Sequence, residues 1–221
     1  MKDWVLRNSD TYLPLLSLIV YVLNWKKIAK QELILFFYLI INVIIFGISN
    51  FLADRETNNL FLYHFYSLFD LVIVTYYLAA ILLKRVKLFY LIAISYSCFW
   101  GLDIIMWESL NSFNSNAASL ANFIILILSM YYLLQLSKSE DILNFQKLPA
   151  FWFASAFLVS CAISILSLMA YKYFVQNNLP EEGFKVWILT SIGNGIKFIF
   201  LIVGLLCYSR KRHSMSSILL L

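Results

Sequence analysis

Long stretches of almost unbroken apolar residues follow one another along the chain, separated by short polar segments. They lie near 11–25, 33–53, 60–83, 88–107, 117–136, 150–175 and 186–208. A helix needs about 20 mostly apolar residues to cross a hydrocarbon core, so the pattern predicts seven crossings, of which the first is the shortest. An outer-membrane barrel would show period-two alternation broken by frequent turns. Only 6 Gly and 3 Pro occur, which leaves long helices as the reading. Pro14 is placed in the opening turn of the first helix and Pro149 at the start of the sixth, where a missing N–H costs little. Pro180 is placed in the loop before the seventh.

Composition turns this pattern into a fold class. The 221 residues are 62% hydrophobic and 13% charged, with a mean hydropathy of +0.80, against roughly 45–50% apolar in soluble domains. A soluble fold of this length has too little interior to hide so much hydrocarbon. The expectation is an all-α polytopic membrane protein, one seven-helix transmembrane domain over 1–221, embedded in the lipid bilayer of a cytoplasmic (inner) membrane.

Charge orients the bundle, because Lys and Arg near span ends are retained on the cytoplasmic side. Lys26, Lys27, Lys30, Lys84, Arg85, Lys87, Lys138, Lys147, Arg210, Lys211 and Arg212 fall on one side. Lys2, Arg7, Arg55, Lys172 and Lys185 fall on the other, and most acidic residues accompany them: Asp3, Asp10, Asp54, Glu56, Glu108, Glu181 and Glu182. Glu32, Glu140 and Asp141 lie on the basic side. The N-terminus is therefore expected outside and the C-terminus in the cytoplasm. The formal net charge of +5 is a topology signal and does not indicate nucleic acid, since no basic patch alternates with exposed aromatics. Trp4, Trp107 and Trp187 mark the outer interface and Trp25 and Trp152 the inner.

Several features bear on processing and chemistry. "LIVYVLN" is followed by "WKKIAK" and not by a small-residue cleavage site, so the first span is expected to remain as an anchor. Cys98, Cys161 and Cys207 lie within spans and form no C-x-x-C, which suggests neither a disulfide framework nor a zinc knuckle. With only His64 and His213 available, no metal site is expected. The tail "SMSSILLL" carries no prenylation signal. No internal repeat points to an inverted-repeat transporter, and the loops are too short to hold a domain.

Function then has to be sought among polar residues inside the spans, where an ionisable group costs about 2.5–3.5 kcal/mol on insertion scales and usually faces the bundle interior. His64, Asp70, Asp103 and Lys197 are the ones to follow. Asp70 lies ten positions past Leu60 and Lys197 eleven past Val186, about 15 and 16 Å down two parallel helices. Matching depth predicts that Lys197 meets Asp70, which would relieve most of each charge's penalty. Such a pair would either fix helix register or form a ligand or proton site. His64 and Asp103 form a second layer about 6 Å below the outer interface, where they could titrate near neutral pH. Neutral polar stripes accompany these groups: Asn42 and Ser49; Asn122, Ser129 and Tyr132; Ser160, Ser164 and Ser167; Thr190, Asn194 and Gly204. The serines of span six suit close packing, whereas Asn122 and Asn194 are the better pocket candidates. Trp100 shares a face with Tyr96 and Asp103 and would line a cavity or pack.

Seven crossings with a lysine in the last look like the layout of retinal proteins, where that lysine carries a Schiff base. The likeness ends at the layout. The aspartate usual four residues before the lysine is Gly193, the arginine three before the helix-three counter-ion is Ser67, and the threonine four after that counter-ion is Val74. A eukaryotic-type receptor fits worse, for "AAILLKRVK" holds no acidic-Arg-aromatic triplet and span seven no Asn-Pro-x-x-Tyr. The segments "NNLFLYHFYSLFDLV", "SFNSNAASLANFI" and "LPAFWFASAFL" are similar to a group of uncharacterised bacterial seven-helix membrane proteins. That resemblance implies a shared cluster of Asn59, His64, Tyr66 and Asp70 and carries no activity with it.

The expectation is a membrane protein of sensor or accessory type, with the question of an enzymatic activity left open. Its small polar pocket is built from His64, Asp70, Asp103, Asn122, Asn194 and Lys197 and takes a small-molecule ligand. It would signal through a membrane or cytoplasmic partner. The alternatives are a small transporter or proton-coupled permease, and a retinal protein using Lys197; otherwise no cofactor is predicted. A lipid-modifying enzyme is disfavoured by the absence of a metal-ligand cluster, a Ser-centred elbow or paired carboxylates at the cytoplasmic edge.

Overall fold

The computed structural model describes residues 2–138 and 140–218, with side chains over 10–138, 144–174, 177–179 and 181–208. The flanking groups Lys2, Asp3, Trp4 and Arg7, the acids Glu140 and Asp141, and the basic cluster Arg210–Arg212 with His213 lie outside the described side chains. All described secondary structure is helical: α1 (Lys2–Leu23), α2 (Leu33–Ala53), α3 (Leu60–Thr75), α4 (Val86–Met106), α5 (Asn116–Leu136), α6 (Pro149–Gln176) and α7 (Pro180–Ile218). Six of these helices contain segments long and apolar enough to cross a membrane, and α1 adds the shorter apolar stretch Asp10–Leu23. Together they have the character of a helical membrane bundle.

The prolines refine the helix limits. Pro149 and Pro180 each occupy the first position of a helix, where the locked φ is already helical and no N–H is needed. Placing Pro180 in a loop is thus corrected: α7 begins with it. Pro14 also differs from expectation, because α1 starts at Lys2 and Pro14 falls well inside it. There it has no N–H to give to the carbonyl of Asp10, four residues earlier.

Packing closes six helices into a ring, α1 on α2 and α7, α2 on α3, α3 on α5, α5 on α6, and α6 on α7. The fourth helix stands outside, against α3, its π-helical continuation and α5. Only Tyr96 and Asp103 of α4 are buried, while Ile105 is 82% exposed and Leu91 65%. An apolar helix with so much exposed hydrocarbon is suited to lipid contact. Short connections make sequential helices antiparallel. The α2–α3, α4–α5 and α6–α7 links therefore share one end of the bundle with Trp187, and the other links share the end with Trp25.

Beyond Thr75, α3 widens into a π-helix over Tyr76–Leu82, whose wide turn is visible in the bond from Leu83 N–H to the Leu78 carbonyl at 2.9 Å. Tyr77, Leu78 and Ala79, all within it, are fully buried. Lys84 ends it at φ 56°, a left-handed stop usually given to glycine.

The α6–α7 contact is the tightest in the ring. A methyl group built on Gly204 would collide with the ring of Phe153, which is fully buried and packed edge-on against Tyr77. Close approach of backbones through small residues is the usual means by which membrane helices associate. Gly204→Ala is expected to destabilise the bundle by about 1–3 kcal/mol through overpacking. Gly47→Ala, which meets nothing within 4 Å and replaces a glycine in a helix interior, should not lower the detergent melting temperature and serves as the control.

Candidate functional site

Inside the ring, polar residues from five helices enclose a cavity of about 80 Å³. Asp10 comes from α1, Tyr66 and Asp70 from α3, Asn122 from α5, Ser160 from α6 and Lys197 from α7. An apolar cavity of about 150 Å³ is needed to hold benzene, whereas a single water needs only about 10–15 Å³. The space suits a few waters or a small ion.

Lys197 is only 4% exposed. Its ammonium donates to the Tyr66 hydroxyl at 3.1 Å and lies 4.9 Å from the Phe198 ring centroid, 5.7 Å from that of Tyr38 and 5.8 Å from that of Tyr66. Such a setting supports a cation by hydrogen bonding and ring quadrupoles together. Asp70 accepts a 2.9 Å bond from the Tyr38 hydroxyl. No salt bridge joins Asp70 to Lys197 among the described residues, so the direct pair expected from matching depth is corrected. The two charges share the cavity, but each bonds a tyrosine. The reason is the ring order: α7 packs on α6 and α1, not closely on α3, and long tyrosine side chains bridge the remaining gap.

Four of the six sequence candidates line this cavity: Asp70, Asn122, Asn194 and Lys197. His64 and Asp103 do not. His64 precedes Asp70 by six residues, which at 100° per residue turns it about 120° away on the same helix. Its Nε2 meets the Ser112 carbonyl at 3.2 Å, and the Trp100 indole donates to the His64 carbonyl at 2.8 Å. Trp100 thus packs there and lines no part of the cavity. Asp103 accepts a 3.0 Å bond from Asn116. Both His64 and Asp103 are fully buried, with His64 Nδ1 and Asp103 Oδ2 left without partners. Asn59 likewise stands apart from Asp70, donating to the Ser49 hydroxyl at 2.8 Å.

The sequence reading overlooked several groups. Asp10, assigned to an outer flank, lines the cavity and accepts a 3.0 Å bond from Ser191 on its Oδ2, while Oδ1 has no partner. The spacing of Asp10, Ser17 and Asn24, all on one helical face, was the available signal. Asn114 ties the start of α5 to α3 through Ser67 at 2.8 Å and the Tyr63 carbonyl at 3.0 Å. Over the Trp187 end of the cavity, Tyr63, Phe113, Tyr171 and Trp187 form a roof of touching rings.

At the Trp25 end, Glu32, assigned to a loop, is 2% exposed. Its Oε1 accepts from Tyr208 at 3.0 Å and its carbonyl from Tyr21 at 3.1 Å, while Oε2 and the buried Tyr77 hydroxyl lack hydrogen-bond partners. The described residues contain no group of three or more His, Cys, Asp or Glu that could hold a metal ion.

Compared with known proteins, the chain matches no family model, no curated protein and no solved structure. The side-chain geometry is therefore the ground on which function has to be argued.

Glu108, in the α4–α5 link, organises the remaining polar cluster. It accepts from the Ser115 hydroxyl, from the Ser115 and Asn116 amides at 2.8 and 3.0 Å, and from Lys172 at 2.9 Å. It thereby caps the start of α5 with a negative charge where the helix dipole favours one. Burial by itself would raise its pKa, but the bonds from Ser115, Lys172 and the two amides outweigh that and hold it below the usual glutamate value. A folded-state pKa that is depressed stabilises above the unfolded value and is lost as pH falls through the folded one. Glu108→Gln should lower stability by about 2 kcal/mol at pH 7. The gap between wild type and variant, measured by thermal melting, should hold down to about pH 5 and then close as the wild-type carboxylate is protonated.

Proposed function

We propose that this chain is a multi-pass protein of the cytoplasmic membrane, of sensor or accessory type, whose enclosed polar cavity responds to a small ligand and passes the change to a partner. The observation that carries the reading is the convergence of Asp10, Asp70 and Lys197, from α1, α3 and α7, on one internal space. Ionisable side chains are costly inside a membrane and mark functional pathways when they meet there. In this reading α1 is the seventh crossing, the N-terminus is outside, and the aromatic roof at the Trp187 end faces outward. The basic links at the Trp25 end face the cytoplasm and offer the partner its surface.

The cavity volume restricts the ligand to something far smaller than a cofactor, since ordinary ligand pockets span about 300–1,000 Å³. This speaks against retinal on Lys197. The likeness to uncharacterised seven-helix proteins remains compatible with the proposal and adds no activity to it.

A transporter is the second reading, and Glu32 favours it. Glu32, buried, and Asp70, half-buried on the cavity, give the bundle a carboxylate toward each half, separated by the apolar packing of Val74, Tyr77 and Phe153, as coupled proton sites would require.

Two experiments separate these readings. Thermal melting of the purified protein against a panel of inorganic anions, inorganic cations and small amines should show at least one compound that stabilises wild type and fails to stabilise either Asp10→Asn or the Asp70→Asn/Lys197→Met double variant. Equal responses in all three proteins across the panel would overturn the sensor reading. For the transporter, proton flux into proteoliposomes should fall at least tenfold in Glu32→Gln and in Asp70→Asn; flux equal to wild type in both variants excludes it.

A further inference from the structure

The cavity is unbalanced in charge. Two carboxylates, Asp10 and Asp70, and one ammonium, Lys197, line it, leaving one excess negative charge when all three are ionised. Asp70 and Lys197 are gathered at one level by Tyr38 and Tyr66. Asp10 is not part of that arrangement. Its shortest bond on α7 comes from Ser191, six residues before Lys197 and so about 9 Å up the helix, while the Lys197 charge reaches it only across the cavity. Among the described residues no cation forms a salt bridge with Asp10.

Asp10 also has an unusual supply of oxygen lone pairs. Its Oδ1 accepts no hydrogen bond, and Pro14 deprives its backbone carbonyl of the usual helical N–H. Asn194 on α7 turns its side chain toward the Asp10 carboxylate, whereas two other polar side chains of the lining direct their hydrogens elsewhere. Asn122 donates to the Ala118 carbonyl at 2.8 Å and Thr190 to the Ser167 hydroxyl at 2.7 Å. The Asn122 amide oxygen and the Thr190 lone pairs are thereby left to the cavity that both residues line. A carboxylate oxygen left without a donor beside an internal space is complementary to a cation, and oxygen ligands suit a hard one.

We propose that the cavity holds one alkali-metal cation beside Asp10, with the Asn122 and Thr190 oxygens and a few waters completing its shell. Charge sets the valence: a single positive charge neutralises the site, whereas a divalent ion would leave it positive in a membrane interior. Size agrees, because about 80 Å³ admits a small ion with waters and excludes an organic ammonium as large as choline. The proposal rests on the cavity being the functional site and names its ligand class.

The test is thermal melting of the purified full chain at constant pH and ionic strength, with NaCl or KCl replacing N-methyl-D-glucamine chloride. Wild type should be stabilised saturably, by several degrees, by at least one of the two alkali salts. Asp10→Asn should melt in N-methyl-D-glucamine at or above the wild-type temperature, since it removes the excess charge, and should gain nothing from either salt. Identical wild-type melting in all three salts, or stabilisation by lowered pH alone, overturns the proposal. If Na⁺ and K⁺ are inert while an anion or amine acts through Asp70 and Lys197, the cation assignment fails and the sensor reading stands.

Discussion

The hydrogen bond from the Lys197 ammonium to the Tyr66 hydroxyl joins α7 to α3 across the interior of the bundle, and the polar architecture is arranged around it. A lysine at this depth must be solvated by protein or lose its charge. Tyr66, Tyr38 and Phe198 supply that solvation with a hydroxyl and three ring faces. Because tyrosine reaches farther than aspartate, the helices can stay far enough apart to leave a cavity.

The membrane class and the approximate helix positions were readable in the sequence because hydropathy over about 20 residues is a strong, local signal. Helix limits were less so, and Pro14 shows why: a proline is tolerated in two very different places, and only the extent of α1 before it distinguishes them. For the cavity, depth along a helix was legible for Asp70 and Lys197, since rise per residue is fixed. Azimuth separates His64 from Asp70, because a six-residue offset turns it toward Trp100 of α4 and Ser112 of the α4–α5 link. Asp10 and Glu32 were missed for a common reason: both lie near polar flanks, where a charge normally needs no explanation. Their burial is decided by which helix packs over them, and ring order is a nonlocal property that hydropathy does not encode.

The two carboxylate environments at the ends of the bundle are built by different means. Glu108 is held by two amides, a hydroxyl and an ammonium, as a charged cap whose role is to fix the α4–α5 link. Glu32 is surrounded by tyrosines, with Tyr208 and Tyr21 bonding it to α7 and α1. Full charge-assisted satisfaction gives rigidity. Satisfaction by neutral hydroxyls is partial, since Glu32 Oε2 and Asp10 Oδ1 keep no partner, whereas both oxygens of Glu108 are bonded.

The isolated position of α4 has a consequence for biogenesis. A helix that buries little more than Tyr96 and Asp103 against its neighbours owes its place in the bilayer to its own hydrocarbon, so it can be released laterally from the insertion machinery before any companion is present. Its partner α5, by contrast, needs Glu108 from the preceding link to finish its first turn. Synthesis order therefore delivers the cap before the helix it completes, and the peripheral helix becomes the tether that keeps that cap waiting at the membrane surface.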